Sequence, residues 1–212
     1  MTNHENNNHG TEPTSERTTT TPEGHEHDDH PRPHIWIASL ADYNNGRLHG
    51  AWVDAGLDPE ELEQAAWRIL ATSPEPDAEE WAIHDYDGFG PLRLGENEAL
   101  EDISAIAKGI ARHGPAFAAW AEMVWDGQPS LDHDLLDQFD EHYMGHHATL
   151  AAWAEEMCDD LGFTLEAGGH LPANLQPYVH IDYQALGRDM EIEGDVTSVE
   201  VEGGGVWVFR GL

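Results

Sequence analysis

The hydrophobic positions between residues 34 and 90 fall into short runs that predict strands. The stretch HIWIASLADYNNGRLHGAWVDA, residues 34–55, holds two apolar runs on either side of Asn44-Asn45-Gly46. An Asn-Gly pair between such runs predicts a β-hairpin. A third run at residues 81–86 ends at Gly88 and Gly90-Pro91 and predicts another strand. The folded part of the chain is therefore expected to open with an antiparallel sheet.

The segment DPEELEQAAWRIL, between the second and third predicted strands, has the signals of a helix. Asp58 is placed to cap the helix, Pro59 suits its first position, and Glu61 has the spacing of a capping box. One apolar face follows at helical spacing. This face consists of Leu62, Ala66, Ile69 and Leu70.

From residue 100 onward the apolar spacing becomes mostly helical. Four stripes predict four helices: Leu100, Ile103, Ala107 and Ile110; Phe117, Trp120, Ala121 and Val124; Leu131, Leu135, Phe139 and Tyr143; and Leu150, Trp153, Met157 and Leu161. Tyr183, Leu186 and Met190 predict a further short helix. Val199 and Val201, a Gly203-Gly204-Gly205 turn and VWVF at 206–209 predict a closing hairpin.

These elements predict an α+β protein. The expected divisions are a disordered tail at 1–33, an N-terminal domain at 34–95 with an antiparallel sheet and a helix, a central helical domain at 96–128, and a C-terminal domain at 129–212 with helices and a short hairpin. The tail is assigned from its composition, because it is rich in Asn, Thr, His, Glu and Pro and has Met1 as its one large apolar side chain.

The balance of charge narrows the classes of function. The 212 residues include 42 Asp and Glu against 9 Lys and Arg, a formal net charge of -33. Residues 1–33 hold 7 of the acids and 2 of the bases, so residues 34–212 keep 35 acids against 7 bases, a net of -28. Such a field repels nucleic acid and anionic lipid and attracts basic surfaces. We therefore expect a basic protein partner, with no direct contact to nucleic acid or membrane.

The same chain shows no apolar run of the length that a signal peptide or a bilayer span needs. Its single cysteine, Cys158, excludes an internal disulfide framework and a zinc site built from several cysteines. The sequence therefore predicts a cytoplasmic protein.

His84-Asp85, within EEWAIHDYDGFG, has the residue types of a catalytic dyad. On a strand, however, adjacent side chains point to opposite faces, so these two would not hydrogen-bond as base and orienting carboxylate. Alternation would place Ile83 and Asp85 on one face, and His84 and Tyr86 on the other. No nucleophile or phosphate-binding glycine loop accompanies the pair, so we predict no catalytic residue and no enzyme activity.

A metal site is the second chemical hypothesis. His142 and His146 are four residues apart, a spacing that could place two ligands on one helical face, and a metal-dependent hydrolase would use them so. The glutamate of an HExxH motif is absent and Gly145 weakens a helix there. The tail sequence HEHDDH could bind a transition metal adventitiously. No stretch has the pattern of an EF-hand loop. The sequence predicts neither a metal ion nor a cofactor.

The carboxylates themselves need an explanation. Acids recur at neighbouring helical positions, where like charges reduce stability, as in Asp137 with Asp140 and Glu141, and in Glu155 and Glu156 with Asp159 and Asp160. One alternative is an acidic, salt-adapted structural or interaction protein with no DNA-groove partner. The other is a protein that imitates DNA. Duplex DNA carries one negative charge per about 1.7 Å, so 28 charges match roughly 48 Å, or about 14 base pairs.

Two long segments carry a family resemblance. IWIASLADYNNGRLHGAWVDA and SPEPDAEEWAIHDYDGFGPLRLGENEALEDI closely resemble the N-terminal half of ArdA-type antirestriction proteins. FDEHYMGH, the acidic segment through EEMCDDLG, and the closing GGGVWVFRG are similar to the rest of the family's pattern. The resemblance covers about residues 34–212 and leaves the tail unmatched.

The resemblance implies an elongated chain of small α+β domains that forms a dimer, is encoded on mobile elements and mimics DNA. Such proteins fill the DNA-binding groove of type I restriction-modification enzymes, formed by the specificity and methyltransferase subunits, and block DNA binding and cleavage, with modification open to the same block. The family's antirestriction motif and dimer contact best match residues 129–162. Phe139 and Tyr143 are the expected packing or dimer residues. The expected partner-facing carboxylates are Asp126, Asp132, Asp134, Asp137, Asp140, Glu141, Glu155, Glu156, Asp159 and Asp160.

Overall fold

A computed structural model of the chain describes residues 32–125, 135–162, 172, 174–175 and 178–211. Across these ranges the protein forms two antiparallel three-stranded sheets and seven helices, which confirms the α+β class. The strands are β1 His34–Ser39, β2 Gly50–Asp54, β3 Trp81–Asp87, β4 Tyr143–His147, β5 Val196–Glu200 and β6 Val206–Arg210. The helices are α1 Leu40–Asn44, α2 Pro59–Ala71, α3 Leu100–His113, α4 Pro115–Val124, α5 Leu135–His142, α6 Leu150–Asp160 and α7 Tyr183–Glu193. Of the predicted tail, all but Arg32 and Pro33 lies outside the described residues.

The N-terminal sheet has the strand order β2-β1-β3, so the three strands predicted from the apolar runs are confirmed. Ile35 pairs with Val53 and Tyr86, and Ile37 pairs with Ala51 and Ile83. Residues directly opposite each other across paired strands share a face of the sheet. This inner face packs into the core beneath α2 and α3.

The connection between β1 and β2 differs from the predicted hairpin turn. Instead of a tight turn at Asn44-Asn45-Gly46, the chain forms the short helix α1 directly after β1. Ser39 caps this helix by accepting a hydrogen bond from the Asp42 N–H at 3.3 Å. Gly46 then turns the chain with a φ of 77°, which glycine adopts without strain. The Asn-Gly signal thus marks the exit from a helix and not a two-residue turn.

Asp42 fastens this connection to the end of α2. Its carboxylate is fully buried and accepts a hydrogen bond from the Ser73 hydroxyl, while the Arg47 Nε lies 3.8 Å away. Burial by itself would raise the pKa of Asp42. Hydrogen bonds from Ser73 and Ser39 and the nearby charges of His49 and Arg47 outweigh it, so the pKa lies below its usual value of 3.8.

We predict that Asp42→Asn destabilises the protein at neutral pH and that the difference from the wild type closes in acid. Because the folded-state pKa is lowered, the ionised carboxylate stabilises the fold above pH 3.8, and this contribution is lost as pH falls through the folded-state pKa. Urea unfolding of both proteins between pH 7 and about pH 3 measures the difference. Asp77→Asn, at an exposed carboxylate, is the control. A difference that widens in acid would contradict the assignment.

Strand β3 contains an irregularity that the sequence did not reveal. Asp85 pairs with Trp36 and Ile83 pairs with Ile37, so His84 is an extra residue in the ladder. The bulge breaks strict alternation. Ile83 therefore lies on the inner face and Asp85 on the outer face, and the prediction that both share one face is wrong.

The helix predicted in DPEELEQAAWRIL and the two predicted from the stripes that begin at Leu100 and Phe117 are confirmed as α2, α3 and α4. In α2, the Asp58 N–H donates to the Glu61 carboxylate at 3.3 Å, as the capping-box spacing predicted. Helices α3 and α4 approach closely at Gly109, where a Cβ atom would lie 2.2 Å from the Phe117 ring. One hydrophobic core includes the N-terminal sheet, α2, α3, α4 and α5. This core is continuous across the expected 95/96 boundary, and the division into domains stays a prediction.

The third apolar stripe is only partly helical. Helix α5 ends at His142, and Tyr143, expected on the same helix, instead begins β4. Leu131 lies outside the described residues. The strand forms because β4 pairs with β6 along Tyr143–Phe209 and His146–Trp207. This pairing depends on a segment about 60 residues away in the chain, so the spacing of apolar residues within 143–147 does not predict it.

The C-terminal sheet has the order β4-β6-β5 and contains the predicted closing hairpin of β5 and β6. Both of its faces are covered. Phe209 and Trp207 on one face join the core of α3, α4 and α5, while Val208 on the other packs with Trp153 of α6. The run VWVF is continuously apolar because alternate side chains enter two different cores.

Candidate functional site

An acidic groove lies between α5 and β4 on one side and α6 on the other, with a volume of about 490 Å³. Four of the carboxylates predicted to face a partner line it: Asp140, Glu141, Glu156 and Asp160. All four residues are exposed. Its apolar lining comes from Tyr143, Met144, Trp153, Met157 and Leu161. We call this feature the acidic groove.

Helix α6 presents its carboxylates in two directions. Glu156 and Asp160, four residues apart, face the acidic groove. Glu155 and Asp159 form the next pair around the helix and lie near Tyr183 of α7. Burial raises the pKa of the Tyr183 hydroxyl, and the charges of Asp159 and Glu155 raise it further. The acidic groove therefore includes Asp140, Glu141, Glu156 and Asp160. Glu155 and Asp159 lie on a neighbouring surface, beside α7.

One histidine and one arginine line the acidic groove beside the carboxylates. The His147 Nδ1 lies 3.2 Å from the Glu156 carboxylate, and its Nε2 lies 3.0 Å from the Met144 carbonyl oxygen. Arg210, at the end of β6, also lines the groove. Burial raises the pKa of Tyr143, so this hydroxyl stays protonated at neutral pH and can donate a hydrogen bond.

Helix α5 carries the other predicted acids that are described. Asp137 is exposed, and the Asp140 carboxylate lies 3.7 Å from the His113 Nε2 of α3. Asp126, Asp132 and Asp134 lie outside the described residues. For all of these carboxylates, contact with a partner remains a prediction.

Phe139 is the centre of an aromatic cluster that joins α3 and α4 to the C-terminal sheet. Its side chain is 1% exposed, with ring centroids 4.7 Å from His113, 5.2 Å from Phe117 and 4.9 Å from Tyr143. Phe209 of β6 lies 6.3 Å away. Phe139 therefore packs inside its own chain and connects α3, α4 and α5 with β6, while Tyr143 packs beside it and also lines the acidic groove.

His142 and His146 do not share a helical face, because the helix ends at the first of them. The His142 Nδ1 lies 2.7 Å from the Gln138 carbonyl oxygen. His146 lies on β4, with its Nε2 3.3 Å from the Gly204 carbonyl oxygen. The four-residue spacing of His142 and His146 therefore does not place the two side chains on one helical face. Among the described residues, no group of three or more His, Cys, Asp or Glu side chains is arranged to hold a metal ion.

His84 and Asp85 also have separate partners. The His84 ring packs edge-on against Tyr43 at 4.6 Å, and the Asp85 carboxylate accepts a hydrogen bond from the Tyr86 N–H at 2.9 Å. Neither contact orients a histidine by a carboxylate, which a catalytic dyad requires. The pair contributes an aromatic contact and a surface charge at the N-terminal sheet.

Sequence reasoning missed three residues of the acidic groove: Met144, His147 and Arg210. Met144 and His147 belong to β4, which was not predicted, and Arg210 reaches the groove only because β6 lies beside β4. The spacing of Glu156 to Asp160 was a usable signal for one wall. On the other wall, Asp140, Glu141 and Tyr143 were among the predicted residues, whereas the remaining part contributed by β4 and β6 had no local signal.

No helix in the described parts of the chain combines the length and the apolar character that crossing a bilayer requires. The fold and the groove define an acidic α+β protein whose most distinctive surface is a set of clustered carboxylates. Residues 35–203 match the family described as antirestriction protein (ArdA). The chain belongs to this family, and its function is antirestriction, directed at restriction-modification enzymes. No curated protein matches the chain.

Proposed function

We propose that the protein acts as a DNA mimic that occupies the DNA-binding groove of type I restriction-modification enzymes. The observation that carries the proposal is the net charge of -28 on residues 34–212. An enzyme groove that binds DNA must be basic, because phosphate contacts supply most of the affinity for a duplex. A protein with carboxylates in place of phosphates would compete for that groove.

The arrangement of the described carboxylates supports mimicry more than simple solubility. Exposed acids occur on both walls of the acidic groove, with Asp140 and Glu141 on α5 and Glu156 and Asp160 on α6. Like charges held this close reduce the stability of the free protein. A basic partner would relieve the repulsion on binding, so the chain gains affinity from a feature that costs it stability.

The proposal extends to the assembly and its location. A homodimer would carry twice the charge of one chain and match about 28 base pairs of duplex. The surfaces filled would be the DNA-binding faces of the specificity and methyltransferase subunits, in the cytoplasm. The inhibitor would act by occupancy alone, without a catalytic step, cofactor or metal.

The test uses purified protein and a type I restriction enzyme. DNA binding and cleavage are measured with increasing inhibitor at several NaCl concentrations. We expect both to be blocked at low salt, and we expect the inhibition to weaken as salt rises because screening shortens the reach of the charges to about 10 Å at 0.1 M. Unchanged DNA binding at low salt, with inhibitor in large excess, would contradict the proposal.

A further inference from the structure

The two sheets differ in how their faces are covered. Both faces of the C-terminal sheet enter hydrophobic cores, whereas the helices of the described core pack against the inner face of the N-terminal sheet. The register defines what lies on its outer face. Trp52, Trp36 and Asp85 form one row across the three strands, and Asp54, His34 and Asp87 form the next row.

Aromatic and aliphatic side chains are exposed on this outer face and on the β1–β2 connection beside it. Trp52 is 48% exposed, Tyr43 55% and Leu48 81%. Together with Trp36, Leu40, Asn44, His84, Asp85 and Glu96 they line a concave surface of about 640 Å³. We call the surface formed by Trp36, Tyr43, Leu48, Trp52 and Asp85 the tryptophan patch.

The tryptophan patch is an ordered arrangement. The Trp36 and Trp52 rings meet edge to face with centroids 5.7 Å apart. The Trp36 indole lies across Gly50, where a Cβ atom would be 2.8 Å from its Nε1. Glycine at this position therefore leaves room for the ring to lie over the sheet. Clustered tryptophan exposed to water is unfavourable in the free protein, and such clusters mark interaction surfaces.

The charges around the tryptophan patch indicate the kind of partner. Asp85 lies in the same row as both tryptophans, and Glu96 lines the same concavity. Asp54 and Asp87 flank His34 in the adjacent row. An arginine or lysine side chain is attracted to the face of a tryptophan ring and pairs with carboxylates. Aromatic rings beside several acids thus fit a cationic side chain on a partly apolar segment.

We propose that the tryptophan patch binds a segment of the restriction enzyme that carries arginine or lysine, as a contact separate from the acidic groove. This inference rests on the proposed function, because it takes the restriction enzyme as the partner. Phosphate mimicry loses strength as salt rises, whereas burial of tryptophan is not screened. The patch therefore supplies affinity that persists at salt concentrations where the carboxylates contribute less.

The test compares two tryptophans of similar exposure on different surfaces. Trp52 is on the tryptophan patch, and Trp67, 53% exposed, is on α2, which packs against the inner face of the sheet. Affinity of each full-length variant for a purified type I restriction enzyme is measured across a series of NaCl concentrations. We expect Trp52→Ala to raise Kd about tenfold with the salt dependence unchanged, as for a central aromatic contact. Trp67→Ala should stay within about twofold of the wild type.

A second pair of variants tests the charge. Asp85→Asn should raise Kd more than Glu63→Gln, which removes an exposed charge from α2. Equal Kd for the Trp52 and Trp67 variants, or a change of oligomeric state in Trp52→Ala measured by sedimentation, would overturn the inference. The second result would assign the patch to contact between copies of the chain. Failure of the wild type to bind the enzyme or displace DNA would instead overturn the proposed function.

Discussion

Replacing Phe139 with alanine is expected to lower the free energy of unfolding by about 3–5 kcal/mol, the range for deleting a buried aromatic ring. The ring is 1% exposed and lies among His113, Phe117, Tyr143 and Phe209. These neighbours come from helices α3 and α4 and from the β4-β6 pair, so none can move to fill the space without disturbing another element. For a chain of this size the loss corresponds to a decrease in Tm of roughly 6–20 °C.

Thermal and urea unfolding of the wild type and Phe139→Ala measure this effect. Ile192→Ala on α7 is the control, because Ile192 is 75% exposed and its loss should change stability by less than about 0.5 kcal/mol. Phe139→Leu, which keeps most of the volume, should fall between the two. A loss below about 1 kcal/mol for Phe139→Ala would show that the aromatic cluster does not hold α3 and α4 against the C-terminal sheet.

Neutralising the acidic groove is expected to weaken inhibition of a type I restriction enzyme by about tenfold or more at low salt. The variant combines Asp140→Asn, Glu141→Gln, Glu156→Gln and Asp160→Asn, all at exposed positions of the groove. Charged pairs across a protein interface contribute up to several kcal/mol in total, and a tenfold change needs only about 1.4 kcal/mol. The difference from the wild type should narrow as salt rises.

The control removes the same number of charges elsewhere. The control variant changes four exposed carboxylates between residues 60 and 79: Glu60→Gln, Glu63→Gln, Asp77→Asn and Glu79→Gln. If position matters as proposed, this variant inhibits better than the groove variant although both have equal net charge. Equal inhibition by the two variants would mean that only total charge counts and that the acidic groove has no special role.

The parts of the fold that the sequence predicted are those with local signals. Helix α2 has its cap, its proline and its apolar stripe within 13 residues of one another, and β5 and β6 flank a run of three glycines. Strand β4 has no such signal. Its sequence YMGHH contains a glycine with a φ of 109° and no alternation, and it becomes a strand by pairing with β6.

Two other differences arise from contacts that the pattern of apolar residues does not encode. The β1–β2 connection is a helix because Ser39 and the buried Asp42 stabilise its first turn and fasten it to Ser73. The bulge at His84 places Ile83 on the inner face of the sheet and Asp85 on the outer face, although alternation predicted one face for both. Asp85 therefore lies beside the outward-facing Trp36 and Trp52.

The sequence predicted which carboxylates belong to the candidate site, but it did not predict which of them share a surface. Spacing identified the carboxylates of α6, and the resemblance directed attention to residues 129–162. Which acids share a surface depends on how α6 lies against β4 and α7. Glu156 and Asp160 face the acidic groove, while Glu155 and Asp159 lie near Tyr183. A helix sequence alone does not determine which of its polar sides meets a neighbouring element.

The central claim, that the protein and DNA compete for one site, is tested most directly by varying DNA concentration. The apparent inhibition constant for a type I restriction enzyme is measured with the wild-type protein at several concentrations of specific duplex and fixed low salt. Competition for the groove predicts that this constant rises in proportion to the DNA concentration. An apparent inhibition constant that stays the same at every DNA concentration would contradict DNA mimicry and indicate binding away from the groove.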